Sequence, residues 1–391
     1  MLLTGSAYAA TISNSLGQFV NRSMGLFAQN LSFPNIAGEF IERQALGSLQ
    51  LPVPATSASV TYSFDPEHPE LLGATRIPGS LGPVFVDRAD TIGQGRFDIL
   101  FSYEFAHLTD LDGASFGRQL QFAFGATVQG ATLGGAFLGR NLALNENVFT
   151  FSGTYGVTQR WDVNLLVPIL YTTLDLDGVS GGFVDNVQET RSVAFHDDAF
   201  GIGDILLRTK YRFFDDPDRV KLAGALTLRM PSGNPGNFQG LGDFTITPTL
   251  IVSRAIGRHD VHMNLGMEFD TAEAERTRAR YAIGVTLQPR SWLAILLDVL
   301  GSSGLDDDHF SVSTGNVTPV CNPAIVRCIN YTATPTSVNG VVPRSDIVDL
   351  SAGIKLHPFP SAYVYLIALV PLTQQGLRAA VVPTGGFEWT F

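Results

Sequence analysis

Residues 96–106 read RFDILFSYEFA. Successive side chains of an extended chain point to opposite sides. Phe97, Ile99, Phe101, Tyr103 and Phe105 therefore share one face, and Arg96, Asp98, Ser102 and Glu104 share the other. Residues 201–213 repeat the pattern, with Ile205, Leu207, Tyr211 and Phe213 against Asp204, Arg208, Lys210 and Arg212. Residues 259–269 repeat it again: Val261, Met263, Leu265, Met267 and Phe269 oppose His262, Asn264 and Glu268. Twelve such segments follow one another: 96–106, 147–157, 161–173, 201–213, 219–230, 242–255, 259–269, 278–288, 291–301, 345–356, 361–371 and 377–391. A tilted membrane strand needs about 9–11 residues, and bacterial single-chain barrels have even strand numbers. The expected fold is all-β, a transmembrane antiparallel up-and-down barrel of about twelve strands.

Composition agrees. The 391 residues are 45% hydrophobic and only 16% charged, with mean hydropathy +0.16. A helical span needs roughly 20 consecutive apolar residues, and no such run exists. The uncharged stretch 119–139 is broken by Gln and Gly, and Ala362–Val370 is short and flanked by Pro. Net charge −11 argues against nucleic acid as a partner. Only Lys210, Lys221 and Lys355 are lysines; the other basic residues are Arg, whose planar fork suits fixed ion pairs.

The connections alternate short and long. Residues 158–160, 214–218, 256–258, 289–290 and 357–360 are the short ones; 107–146, 174–200, 231–241, 270–277 and 302–344 are longer, and 372–376 breaks the rule. Short periplasmic turns and long extracellular loops are the outer-membrane arrangement. Phe387, Trp389 and Phe391 alternate at the end of the chain. They suit the aromatic girdle at the lipid boundary and resemble the signal read by the outer-membrane insertion machinery.

The segment before the barrel is different. Residues 1–10, MLLTGSAYAA, read either as the remnant of a secretory signal peptide or as ordinary first residues. In residues 11–95, Leu16, Phe19, Val20, Met24, Phe27 and Leu31 have helical spacing, 55–64 alternates, and 66–95 is loop-like. This segment would start on the periplasmic side and plug the lumen, lie under it, engage a protein partner or be a simple extension. Cys321 and Cys328 suit a small loop disulfide of an oxidising compartment, with free thiols as the alternative.

Residues 155–170 (YGVTQRWDVNLLVPIL), 201–213 (GIGDILLRTKYRF) and 228–253, with MPSGNPG and GLGDFTITPTLIVS, resemble a family of bacterial outer-membrane proteins named for transport in the meta-cleavage pathway of phenol degradation. Similar barrels often carry a stretch like 82–94 (GPVFVDRADTIGQ) just before the first strand. The resemblance implies a barrel with a transport role. It implies no ligand residues, because Gly201, Gly203, Pro231 and Gly233 serve backbone geometry.

If the apolar face meets lipid, the lumen is charged. Arg208, Lys210, Arg212, Lys221 and Arg229 form a basic wall on strands four and five. Asp162 and Asp243 flank it, and Arg278, Arg280, Asp298, Glu268, Asp349, Lys355, Glu388, Asp98 and Glu104 complete the ring. A charge on the lipid face would cost ~2–4 kcal/mol at the midplane. Two readings follow: a narrow water path biased toward anionic or polarisable solutes, or a structural or partner-binding barrel whose lumen is filled by ion pairs. The apolar connection with Phe122, Phe124, Val128, Leu133, Phe137, Leu138, Leu142 and Leu144 could offer an entry surface to hydrophobic or aromatic solutes, or pack on the rim. Histidine–acid stretches 196–198 and 306–309 would have to meet to make a hydrolase, and acidic loops more often bind water or divalent-bridged lipopolysaccharide. The repeats Asp110-Leu111-Asp112-Gly113 and Asp175-Leu176-Asp177-Gly178 lack the other ligands of a calcium loop and read as turns. No catalytic set, metal site or cofactor motif is present in the pattern, and the expected location is the outer membrane with its lipid and lipopolysaccharide.

Overall fold

The computed structural model describes residues 11–24, 62–63, 75–76, 81–119, 121–128, 131–184, 187–216, 220–313, 320–322, 327–329, 337–359 and 361–390. The strands β1 (Phe97–Leu111), β2 (Ala131–Thr158), β3 (Trp161–Val184), β4a (Val187–Ile202) with β4b (Ile205–Asp215), β5 (Lys221–Met230) and β6 (Thr245–Ile256) lead into β7 (His259–Asp270), β8 (Arg278–Arg290), β9 (Leu293–Gly304), β10 (Asp346–Phe359), β11 (Ala362–Pro371) and β12 (Val382–Thr390). Each pairs antiparallel with the next, and β12 pairs with β1 through Thr384↔Glu104 to Thr390↔Asp98. Because β1 also pairs β2, the ring closes at twelve strands, counting β4a and β4b as one. Closure leaves no unpaired edge in the hydrocarbon, which is why an alternating sequence of this kind can span a bilayer.

Each of the twelve expected segments forms a strand over most of its length. Two connections expected as loops, 107–146 and 174–200, are largely strand instead. β2 continues back to Ala131 and pairs with a further strand, Gln121–Val128, while β3 and β4a form a hairpin from Ile169↔Ile202 to Val184↔Val187. A 28-residue β2 is about 90 Å long, so this hairpin sheet stands well beyond the membrane. The second DLDG repeat lies inside β3, not in a turn. The first does turn, with Asp112 and Gly113 at positive φ. The expected helix is α1 (Ile12–Met24). The Thr11 hydroxyl accepts from the Asn14 N–H at 3.3 Å and caps its first turn.

Alternation holds along the wall. Outward residues such as Ile99, Phe151, Leu165, Tyr211, Leu297 and Trp389 are exposed to the surrounding lipid, while Asp98, Asp162, Lys210, His262, Asp298 and Lys355 point inward and are buried. Two pieces of the amino-terminal segment lie within the barrel. Residues 81–96 cross the lumen near the periplasmic turns, where Leu81, Val84 and Phe85 pack on Leu100, Leu296, Tyr363 and Ile367. The crossing ends against β2, where Gly95 N–H donates to Gly156 O at 2.8 Å and Gly156 N–H to Arg96 O at 3.0 Å. A Cβ on Gly156 would sit 1.8 Å from Gly93 O, so only glycine allows this approach. α1 lies in the opposite, extracellular half, with Phe19 against Phe137 and Phe195 at ring distances of 6.3 and 5.2 Å.

Candidate functional site

The candidate site is the barrel interior, whose two halves differ in chemistry. In the periplasmic half the basic residues of β4b and β5 meet the crossing segment. Arg208 Nη2 lies 2.6 Å from Asp87 Oδ2, and Lys221 Nζ lies 2.6 Å from Asp90 Oδ1. Arg212 Nη1 is 3.4 Å from the same Asp90 oxygen and 3.2 Å from Asp215. Lys210 donates to the carbonyls of Arg88 (3.2 Å) and Asp90 (2.7 Å) and sits 3.9 Å from Asp162. Asp162 in turn accepts the Ile92 N–H at 3.1 Å, Ser253 Oγ accepts the Ala89 N–H at 2.8 Å, and Gln288 Oε1 accepts the Leu81 N–H at 3.1 Å. Arg208, Arg212 and Lys221 of the basic wall are thus paired with Asp87 and Asp90 of the segment lying against it. The carboxylates were in plain view in the stretch GPVFVDRADTIGQ, but alternation says nothing about where a non-strand segment goes.

The other lumen residues sort by partner. Lys355 Nζ lies 3.0 Å from Glu388, with both side chains fully buried. Asp98 accepts from Thr390 Oγ1 at 2.7 Å and Glu104 from Thr384 Oγ1 at 2.9 Å. Arg280 pairs with Glu268 at 3.0 Å, and Ser351 donates to Asp298 at 3.4 Å. Asp349 pairs with Arg378. Arg229 faces Asp204 at 4.0 Å, and Asp204 also accepts the N–H groups of Gly233 (3.1 Å) and Leu241 (2.7 Å). Residues 201–205 and 231–241, two of the stretches that carry the family resemblance, are thus held together around one carboxylate at the break between β4a and β4b.

Asp243 is not on the lumen wall as expected. It precedes β6 and belongs to the extracellular rim, 3.0 Å from Arg276. Arg276 also holds Glu273 at 2.9 Å and Asp308 at 3.4 Å, tying three connections together. Arg278 is at the same rim, bound to Ser302 and Ser345. His196 pairs with Asp175 on β3, whereas His309 pairs with Glu275. The two histidine stretches lie five strands apart around the rim and do not meet. Among the described residues no group of three His, Cys, Asp or Glu side chains could hold a metal ion. Cys321 and Cys328 are register partners in a two-stranded pair. Phe387 and Trp389 face outward, and Phe391 lies outside the described residues, as do residues 1–10 and most of 25–80.

The His309–Glu275 tie is pH-sensitive. The Glu275 side chain holds His309 above its ordinary 6.5, and the His309 N–H groups hold Glu275 below its ordinary 4.5. A raised histidine contributes below its ordinary value and is lost as pH rises through the raised one; a lowered glutamate contributes above its ordinary value and is lost on acidification. The tie is therefore complete between those ordinary values and weakens on the alkaline side. Hydrogen exchange at the His309 amide, corrected for intrinsic rate, is expected to be faster near pH 8.5 than near pH 5.5, with the difference abolished in His309→Asn.

In the extracellular half the inward face is apolar over one sector. Leu108 and Leu111 of β1, Leu142 and Leu144 of β2, Leu174 and Leu176 of β3, and Leu369 and Val382 of β11 and β12 form one buried cluster that includes Ile12 and Leu16 of α1. Across the lumen, β6 to β9 present Thr245, Asn264, Glu268, Arg278 and Ser302. The expected charged ring is therefore confined to part of the interior. The sequence signal was the apolar connection after the first strand, whose Phe137, Leu142 and Leu144 belong to this cluster.

No curated protein matches the chain by sequence. Among solved structures, an outer membrane channel from Pseudomonas putida F1 overlaps at TM-score 0.48 with 10% identity, covering 78% of this chain and 98% of that one. A FadL homologue from Pseudomonas aeruginosa overlaps at 0.29 (9% identity, 75% and 89% covered) and the P. putida toluene transporter TodX at 0.28 (10%, 75% and 89%). These are likenesses of barrel to barrel. Residues 117–296 match the family model described as "Putative MetA-pathway of phenol degradation", the family to which the stretches 155–170, 201–213 and 228–253 had pointed.

Proposed function

We propose that this outer-membrane barrel is a passive channel for small molecules with an apolar, aromatic-sized body. The observation that carries this reading is the leucine-rich inward face of the extracellular half. A lumen that serves only water and ions has no need of apolar inward residues there, and burying them stabilises only if something apolar covers them. α1 covers them in the described state. The matched family's phenol-degradation description is in keeping with such a solute. The barrel acts by positioning alone, and no catalytic role is assigned to any residue.

The test is uptake by intact cells, whose lipopolysaccharide leaflet slows apolar solutes. Cells carrying the protein are expected to take up 1-naphthol several-fold faster than cells without it, while swelling of sugar-loaded proteoliposomes stays at the protein-free rate. Equal naphthol uptake in both strains, or porin-like sugar swelling, would sink the proposal.

A second reading is favoured by one observation. The ion pairs to Asp87 and Asp90 lie in the periplasmic half and suit a structural barrel that binds a partner through its amino-terminal segment or extracellular hairpins. Planar-bilayer recordings separate the two, since a structural barrel stays silent even when those pairs are removed. A Cys321–Cys328 disulfide belongs to either reading of an envelope protein. It is expected as a mass about 2 Da below that of the reduced chain, and full thiol labelling without reductant would refute it.

A further inference from the structure

We infer that the foot of the apolar sector is a binding site for a neutral, small apolar molecule bearing a hydroxyl donor, with Glu146 and Thr172 as its polar partners; this rests on the channel reading above. The register builds the site. Glu146 of β2 faces Thr172 of β3 on one side and Ala106 of β1 on the other. Two residues further out on the same inward face, Leu144 lies between Leu108 and Leu174. A carboxylate and a hydroxyl thus form the floor of a leucine wall, and Ile12 and Leu16 of α1 complete the same apolar cluster.

Both polar groups are short of partners. Glu146 is 2% exposed and Thr172 0%, yet Glu146 Oε1 and Thr172 Oγ1 have no hydrogen-bond partner. Buried polar atoms in folded proteins are almost always satisfied, and an exception needs a reason. Nearby inward groups do not supply one: Glu104, the adjacent carboxylate on β1, is already bound to Thr384. An open carboxylate oxygen accepts hydrogen bonds, so it selects a donor on the ligand. The leucine wall selects the apolar body. Two buried carboxyl groups side by side offer an anion no counter-charge, which sets aside, at this level of the lumen, the anionic preference expected from the basic wall. The site therefore takes an uncharged aromatic or alicyclic alcohol rather than a hydrocarbon or a carboxylate.

The full-length protein in detergent provides the test, with 1-naphthol, naphthalene and 1-naphthoate as probes, each corrected for partition into empty micelles. The wild-type protein is expected to bind 1-naphthol saturably and about tenfold more tightly than naphthalene, the ratio one hydrogen bond supplies, and 1-naphthoate more weakly than either. Glu146→Leu is expected to equalise naphthol and naphthalene. It removes an unpartnered buried carboxylate, so the barrel should keep its heat-modifiable mobility. Glu146→Gln, which keeps an acceptor oxygen, should retain part of the preference. A tenfold preference that survives Glu146→Leu, tight naphthoate binding, or no saturable naphthol binding by the wild type would overturn the assignment. Uptake separates this from the channel reading: naphthol uptake insensitive to Glu146→Leu refutes the site and leaves the channel, whereas saturable Glu146-dependent binding without uptake refutes the channel.

Discussion

Planar bilayers containing the Asp87→Asn, Asp90→Asn double variant are expected to show open-channel current at least tenfold above wild type. The two carboxylates are what the crossing segment offers to Arg208, Arg212 and Lys221, at 2.6, 3.4 and 2.6 Å. All five side chains are at most 22% exposed, so screening by bulk salt is limited. Removing one side of a mostly buried pair costs about 3–5 kcal/mol, because the remaining charge stays desolvated without a partner. Even half of that, spent on the equilibrium between a docked and a released segment, multiplies the released population more than tenfold. The released lumen would also be lined by the cations of β4b and β5 without Asp87 and Asp90 beside them, so the reversal potential in a salt gradient should shift toward chloride. Silent bilayers with a folded, heat-modifiable double variant would refute this gating role and favour the structural reading. Wild-type current as large as that of the variant would show that the segment does not obstruct passage.

The barrel was legible because lipid and lumen are different solvents and a strand reports both at period two. RFDILFSYEFA or HDVHMNLGMEF needs no neighbour to say which side faces which. The reach of β2 and β3 was less legible. Residues 131–146 and 174–184 leave the membrane, and outside it nothing forces polar and apolar residues to alternate, so the strand signal faded while the hydrogen-bonded ladder continued. The inward leucines were hidden for a related reason. Leu166 and Leu170 stand beside Leu165 and Ile169 on the opposite face, and a run apolar on both faces assigns neither. The ion pairs of the lumen were half legible. Their basic members lie on strands, whose orientation the periodicity fixes, but Asp87 and Asp90 lie on an irregular segment whose path depends on tertiary contacts.

Lys355→Met is expected to be the most destabilising single substitution in the lumen wall. Lys355 is 1% exposed and its ammonium lies 3.0 Å from Glu388, itself 2% exposed. Tyr363 lies beneath, with its ring centre 5.7 Å from Nζ. Asp98 stands on the neighbouring strand, with Thr390 of β12 as its register partner two positions beyond Glu388. Without the ammonium, Glu388 stays buried beside Asp98 and loses the cation that lies 3.0 Å from it, at a cost of about 3–5 kcal/mol. Methionine fills nearly the same volume as the lysine stem, so the loss is electrostatic rather than a cavity effect. The heat-modifiable transition on gels should fall by several degrees. Glu388→Leu alone should also destabilise, by stranding Lys355, whereas the double variant Lys355→Met, Glu388→Leu should recover much of the loss, because an apolar pair replaces a pair whose attraction mainly offset its own desolvation. A double variant weaker than the sum of the two single changes would mean that the pair is not the coupled unit its geometry describes. A transition in Lys355→Met unchanged to within a degree would mean that water reaches the pair and screens it. In that case the periplasmic half of the lumen is wetter than its burial indicates, and the released state invoked for Asp87 and Asp90 is already populated in the wild type.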